Sequence, residues 1–173
     1  MPSDGTPLVT LSYVFTTGAA YDPPGKKGLA ALTAAMIADG GTRELSLAEI
    51  DAATYPMAAD LEWQVDKEMT RLSATVHQDN LEAFYAFASA QLLDPGFRAE
   101  DLERNKDMIA HLIRTDLVAN NDEELGKEAL YRLIYGEAHP YSTYNLGIAA
   151  QVEKLTLDDA LQLQRTGSGA GGI

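Results

Sequence analysis

Gly28-Leu29-Ala30-Ala31-Leu32-Thr33-Ala34-Ala35-Met36-Ile37-Ala38-Asp39-Gly40-Gly41-Thr42 is the stretch on which the fold turns. Leu29, Leu32 and Met36 recur at helical spacing among alanines, the residue that costs least in a helix. The glycine pair at 40–41 ends the run, because glycine adopts the left-handed conformation that closes a helix. The spacing predicts a helix over 27–39. Taken by itself this is a plain alanine-rich core helix of an α+β domain.

Toward the N-terminus, Val9, Leu11, Tyr13 and Phe15 alternate with Thr10, Ser12, Val14 and Thr16, the period-two signature of a strand with one buried face. Asp22-Pro23-Pro24-Gly25 turns the chain into the helix. Toward the C-terminus, Ser46-Leu47-Ala48-Glu49 has the form of a capping box, so a second helix starts there and fades before Pro56. Leu61, Trp63 and Val65 alternate, as do Leu72, Ala74 and Val76; the pair predicts neighbouring antiparallel strands with a tight link near Asp66-Lys67. Leu81, Phe84 and Ala88 mark a helix over 80–93 that Asp94-Pro95-Gly96 breaks. Leu102, Met108, Ile109, Leu112, Ile113 and Leu117 form the apolar stripe of a long helix over 99–118. Asn121 with Glu124 caps another, through Tyr135, followed by a turn at His139-Pro140-Tyr141. Thr156 with Asp159 is one more N-cap. The acidic pairs Glu123-Glu124 and Asp158-Asp159 sit at helix starts, where they favour the helix dipole. The order predicts an α+β domain over 1–165, an antiparallel sheet with helices packed on one face. Residues 166–173 have the composition of a flexible glycine-rich tail.

The chain of 173 residues is 46% hydrophobic and 23% charged, ordinary for a globular domain with a real core. No apolar run approaches the roughly 18 residues a membrane span needs. No signal peptide is visible, so the compartment is open, and periplasmic if a longer protein carries a leader. The absence of cysteine excludes disulfides and thiolate metal sites. A formal charge of -13 opposes nucleic acid and anionic membrane. Its bland reading is solubility. A preference for basic ligands is the sharper one, and nothing in the sequence localises it.

Gly28–Met36 followed by Gly41-Thr42 resembles the signature helix of the insulinase/pitrilysin zinc peptidases, the family that includes the mitochondrial processing peptidases. That helix reads G-[LTV]-A-H-F-x-E-H-M with a Gly-Thr a few residues on, and contains the inverted zinc motif H-x-x-E-H. Asp22-Pro23-Pro24-Gly25, Asp94-Pro95-Gly96-Phe97, the segment from Asn121 to Tyr135 and His139-Pro140-Tyr141 are similar to the family's following turns and helices, so the match covers Val9 to about Leu163. The resemblance implies one half-domain of the processing-peptidase (LuxS/metallohydrolase-like) fold, incomplete at both ends. Family domains begin with one more strand before Val9 and continue past the last helix with others, so an exposed sheet edge and self-association are expected.

Two histidines one turn apart share a zinc ion, and the carboxylate between them takes a proton from metal-bound water. By the resemblance, the histidine positions are Ala31 and Ala35 and the base position is Ala34. The third ligand, a Glu roughly 75–77 residues after the second His, falls at Ala110, His111 and Leu112, a window without a carboxylate. Alanine donates no lone pair, and His111 alone cannot hold a catalytic zinc. Asp107 and Asp116 lie near it in sequence, but a solvated helix face explains them more simply. His77 and His139 are isolated. No nucleophile elbow, phosphate loop or dinucleotide fingerprint is present. No catalytic, cofactor-binding or metal residue is therefore assigned. The resemblance implies a non-catalytic domain that pairs with an active zinc-peptidase subunit and helps enclose or bind a substrate peptide. The alternatives are a purely structural subunit, as in the core of a respiratory complex, or a peptidase using unfamiliar residues.

Overall fold

A computed structural model describes residues 6–167, apart from the side chain of Asp116. Strand β1 (Leu8–Phe15) leads into α1 (Leu29–Ala38) and α2 (Leu47–Thr54). Strands β2 (Glu62–Val65) and β3 (Thr70–His77) follow, then α3 (Leu81–Leu93) and α4 (Ala99–His111). The last helices are α5 (Asp122–Tyr135), α6 (Ala149–Val152) and α7 (Leu157–Gly167). The strands form one antiparallel sheet in the order β1-β3-β2, with Leu11 opposite Ala74 and Trp63 opposite Leu72. Alternation delivers the expected one-faced burial. Thr70, Leu72, Ala74 and Val76 point into the core, while Thr10, Ser12 and Val14 face water.

The helices lie on that buried face. α1 is buried along its whole length and touches β2, β3, α3, α4 and α7. A helix apolar on every side belongs in the centre of a core, so the stripe of Leu29, Leu32 and Met36 is only part of what α1 buries. Its backbone ends are satisfied by side chains from elsewhere. The Asp22 carboxylate accepts from the Gly28 and Ala30 amides at 2.7 and 2.9 Å. At the other end Gln91 of α3 donates to the Ala38 carbonyl at 2.7 Å, and the Arg104 guanidinium of α4 donates to that of Asp39. Gly28 is left-handed, with φ +106°, and Gly147 packs so close that a Cβ there would lie 2.4 Å from the Gly28 Cα. Here glycine is required on both sides of a backbone crossing.

The predicted caps form as read. Ser46 and Glu49 complete a capping box, Asn121 accepts from the Glu124 amide, and Thr156 and Asp159 bond reciprocally. The predicted long helix over 99–118 differs in one respect. It is α-helical only to His111, and Leu112–Leu117 is a π-helical stretch. α7 runs through Gly167, so Thr166 and Gly167 belong to it, while the rest of the glycine-rich tail, 168–173, lies outside the described residues.

Candidate functional site

The alanines at the signature positions are interior residues. Ala31 and Ala35 are 0% exposed and Ala34 is 2% exposed. At about 100° per residue, Ala31 and Ala35 share one line along α1. On one flank of that line, Ala30, Thr33, Ala34 and Ile37 border a small apolar cavity of about 60 Å³, closed by Phe15, Leu72, Leu92 and Leu163. On the other flank α4 is tied to α1, where Asn105 Nδ2 lies 3.6 Å from Met36 Sδ and Arg104 reaches the Asp39 carbonyl. Trp63 of β2 packs against the same core and donates from Nε1 to Asp39 Oδ2 at 2.9 Å. Burial pushes the Asp39 carboxyl above its ordinary range, opposed by the indole hydrogen bond and the Arg104 charge and reinforced by Asp51 and Asp60. Burial also raises Asp22, against its hydrogen bonds from the Gly28 and Ala30 amides and the Lys27 charge.

The third-ligand window straddles the change from α- to π-helix. Ala110 is buried, His111 is exposed and Leu112 is half-buried. The nearest polar atom recorded for the His111 ring is Thr115 Oγ1, 3.4 Å from Nδ1, and Asp107 is exposed to solvent. His77 and His139 lie apart from this region, each accepting a backbone amide two residues on, from Asp79 and Tyr141. Among the described residues no three His, Asp or Glu side chains are placed to share an ion. The donor set does not fit zinc: three methyl groups, an aliphatic side chain and one outward imidazole supply no tetrahedral site.

The sequence reading overlooked a second concave region. Tyr21, Tyr131, Tyr135, Tyr141 and Tyr144 line a cleft of about 950 Å³ between the β2–β3 turn and α5. Its available signal was the Tyr131–Tyr135 pair at i,i+4 followed by His139-Pro140-Tyr141.

Solved structures share this architecture. A peptidase M16 inactive domain from Pseudomonas fluorescens superposes with a TM-score of 0.79 at 24% identity, covering 94% of this chain and 39% of that one. A protease from Helicobacter pylori gives 0.76 at 17% identity, covering 94% and 38%. The periplasmic protease PqqL from Escherichia coli gives 0.81 at 14%, covering 93% and 18%. The chain thus spans less than two-fifths of the length of these relatives. No curated protein matches it in sequence. Residues 1–155 match the family model described as insulinase (peptidase family M16), and the chain belongs to that family.

Proposed function

We propose that this chain is a non-catalytic M16 domain that pairs with an active zinc-peptidase subunit and helps enclose or bind the substrate peptide. The observation that carries the reading is the burial of Ala31, Ala34 and Ala35 within a helix that retains the family's flanking turns. Hydrolysis in this family needs a metal-bound water and a carboxylate base, and these positions offer neither a donor nor a proton acceptor. The fold relative from Pseudomonas fluorescens bears the description of an inactive domain, which agrees with a non-catalytic role inside this family. Partnership is the function that remains for an M16 frame without its ligands.

The test joins two measurements. Elemental analysis of the purified protein is expected to find no stoichiometric zinc, and peptide cleavage to be absent with or without chelator. Mixed with an active M16 subunit, the chain is expected to co-elute with it on size exclusion and to raise its affinity for extended peptides in isothermal titration. Stoichiometric zinc with chelator-sensitive cleavage overturns the reading.

A structural subunit without peptide binding is the second reading, favoured by α5. That helix buries none of its residues and exposes Leu130, Leu133 and Ile134 at 53%, 83% and 62%, an apolar stripe suited to assembly. Co-elution without any change in peptide affinity selects it.

A further inference from the structure

The charge of -13 raises the question of where a basic ligand would bind, and the tyrosine-lined cleft offers a location. The β2–β3 turn, closed by a 2.8 Å bond from the Asp66 amide to the Met69 carbonyl, carries Lys67 and Glu68 to the cleft floor. α5 supplies Glu124, Lys127, Glu128, Tyr131 and Tyr135 as one wall. The loop after it supplies Tyr141, Tyr144 and Asn145 as the other.

Both lysines of the cleft are already engaged. Lys127 Nζ is 2.9 Å from Glu123 and 2.6 Å from Glu124. Lys67 Nζ donates to the Thr143 carbonyl at 2.5 Å and stands 5.9 Å from the centre of the Tyr131 ring. The site therefore holds one cation of its own, over an aromatic face and beside a carboxylate. Lys67 does not exhaust the acceptors there. Glu128 Oε2 is 3.8 Å away, an ion-pair separation beyond hydrogen-bond reach. Glu128 Oε2 and Asn145 Oδ1 are both buried without a hydrogen-bond partner among the described residues. Buried acceptors left unmet are uncommon and costly. Two of them in one aromatic cleft call for a donor that carries positive charge.

We infer that this cleft binds an organic cation, a guanidinium or primary ammonium group, between the Glu128 carboxylate, the Asn145 amide oxygen and the faces of Tyr131 and Tyr135. The chemistry is charge-assisted hydrogen bonding to a half-buried carboxylate combined with cation–π attraction. Tyr135 is braced for this by its neighbours, stacked on His139 at 4.8 Å and edge-on to Tyr141 at 5.5 Å. The hydroxyl of Tyr141 is anchored on Glu68 of the turn. The inference stands apart from the pairing role proposed above, since it concerns this chain alone.

The test is isothermal titration of the full chain with agmatine, with spermidine, and with an acetyl-Ala-Arg-Ala-amide peptide against its citrulline counterpart. Saturable one-site binding is expected for the cations and none for the citrulline peptide. Glu128→Gln is expected to weaken binding about tenfold, the loss of one hydrogen bond to a charged partner. Tyr131→Leu, at a 40% exposed position that tolerates change, should weaken it roughly threefold. Glu100→Gln on the exposed face of α4 is the control for general attraction to an acidic surface and should leave binding intact. Preference for the peptide over both free amines identifies a polypeptide source, and the reverse a small metabolite. Absence of saturable binding, or equal affinity in Glu128→Gln, Tyr131→Leu and wild type while circular dichroism shows all folded, overturns the inference.

Discussion

Trp63 and Asp39 join the outer strand of the sheet to the C-terminal end of the alanine helix, the indole N–H donating to the carboxylate at 2.9 Å. The bond spans the side of α1 on which the family keeps its chemistry, and it is made by residues outside the signature. Trp63→Phe retains most of the ring's packing and leaves a half-buried carboxylate short of a donor. Urea unfolding is expected to show a loss of about 1.5–3 kcal/mol, the range for hydrogen bonds to charged groups.

The same carboxyl gives stability a pH dependence. Burial raises the Asp39 pKa in the folded state above its unfolded value, so between the two values the folded chain binds more protons than the unfolded one. Its contribution is therefore fully present at the acidic end of that window and declines as pH rises through the folded pKa. Asp39→Asn keeps an acceptor for the indole and removes the titration. Urea midpoints measured from neutral pH down into the ordinary carboxylate range should show wild type gaining on Asp39→Asn as pH falls.

The three signature alanines should respond differently to enlargement. Ala31→His and Ala35→His place an imidazole at positions with no exposure, at about 1–3 kcal/mol each for overpacking with a buried polar group in addition. Zinc should not restore the lost stability, since the third-ligand window supplies no carboxylate. Ala34→Val points toward the cavity of about 60 Å³ and should change stability by less than about 1 kcal/mol. Denaturant titrations with and without zinc check all three.

Two glycines make a matched pair for the backbone. Gly147→Ala sets a Cβ against the Gly28 backbone at φ +90°, and a loss above roughly 2 kcal/mol is expected from strain and clash together. Gly126→Ala lies within α5, where an added Cβ meets nothing within 4 Å. It should raise the melting temperature, helix propensity contributing up to about 1 kcal/mol.

Much of the fold was legible because its signals are local. The capping boxes at Ser46 and Thr156, the Asn121 cap and the alternation around Leu72 each specify a few neighbouring residues, and tertiary packing agreed with them. The π-helical turn at Leu112 was not legible, since the apolar stripe runs through it and periodicity alone does not distinguish a widened turn from a continued α-helix. Nor was the depth of α1. Alanine is compatible with either a surface or a core, and only the helices arriving from residues 99–111 and 157–167 decide it. The missing zinc donors were readable because a lost side chain is visible letter by letter. The tyrosine cleft was not, because its walls come from four separated segments that only the folded chain brings together.

The strand order also sets a sequence of events in time. β2 and β3 meet across a tight turn, whereas β1 reaches β3 only after a loop of about fifty residues has closed, a difference of roughly 2–3 kcal/mol in closure entropy. The hairpin can therefore nucleate early, with β1 arriving late on its free edge. Leu11→Ala in β1 is expected to speed unfolding and leave the refolding rate nearly unchanged, while Leu72→Ala in β3 slows refolding, as stopped-flow chevrons can show. A strand that docks last is also the first to leave, so this chain's vulnerability to proteolysis and exchange between molecules should begin at Leu8–Phe15.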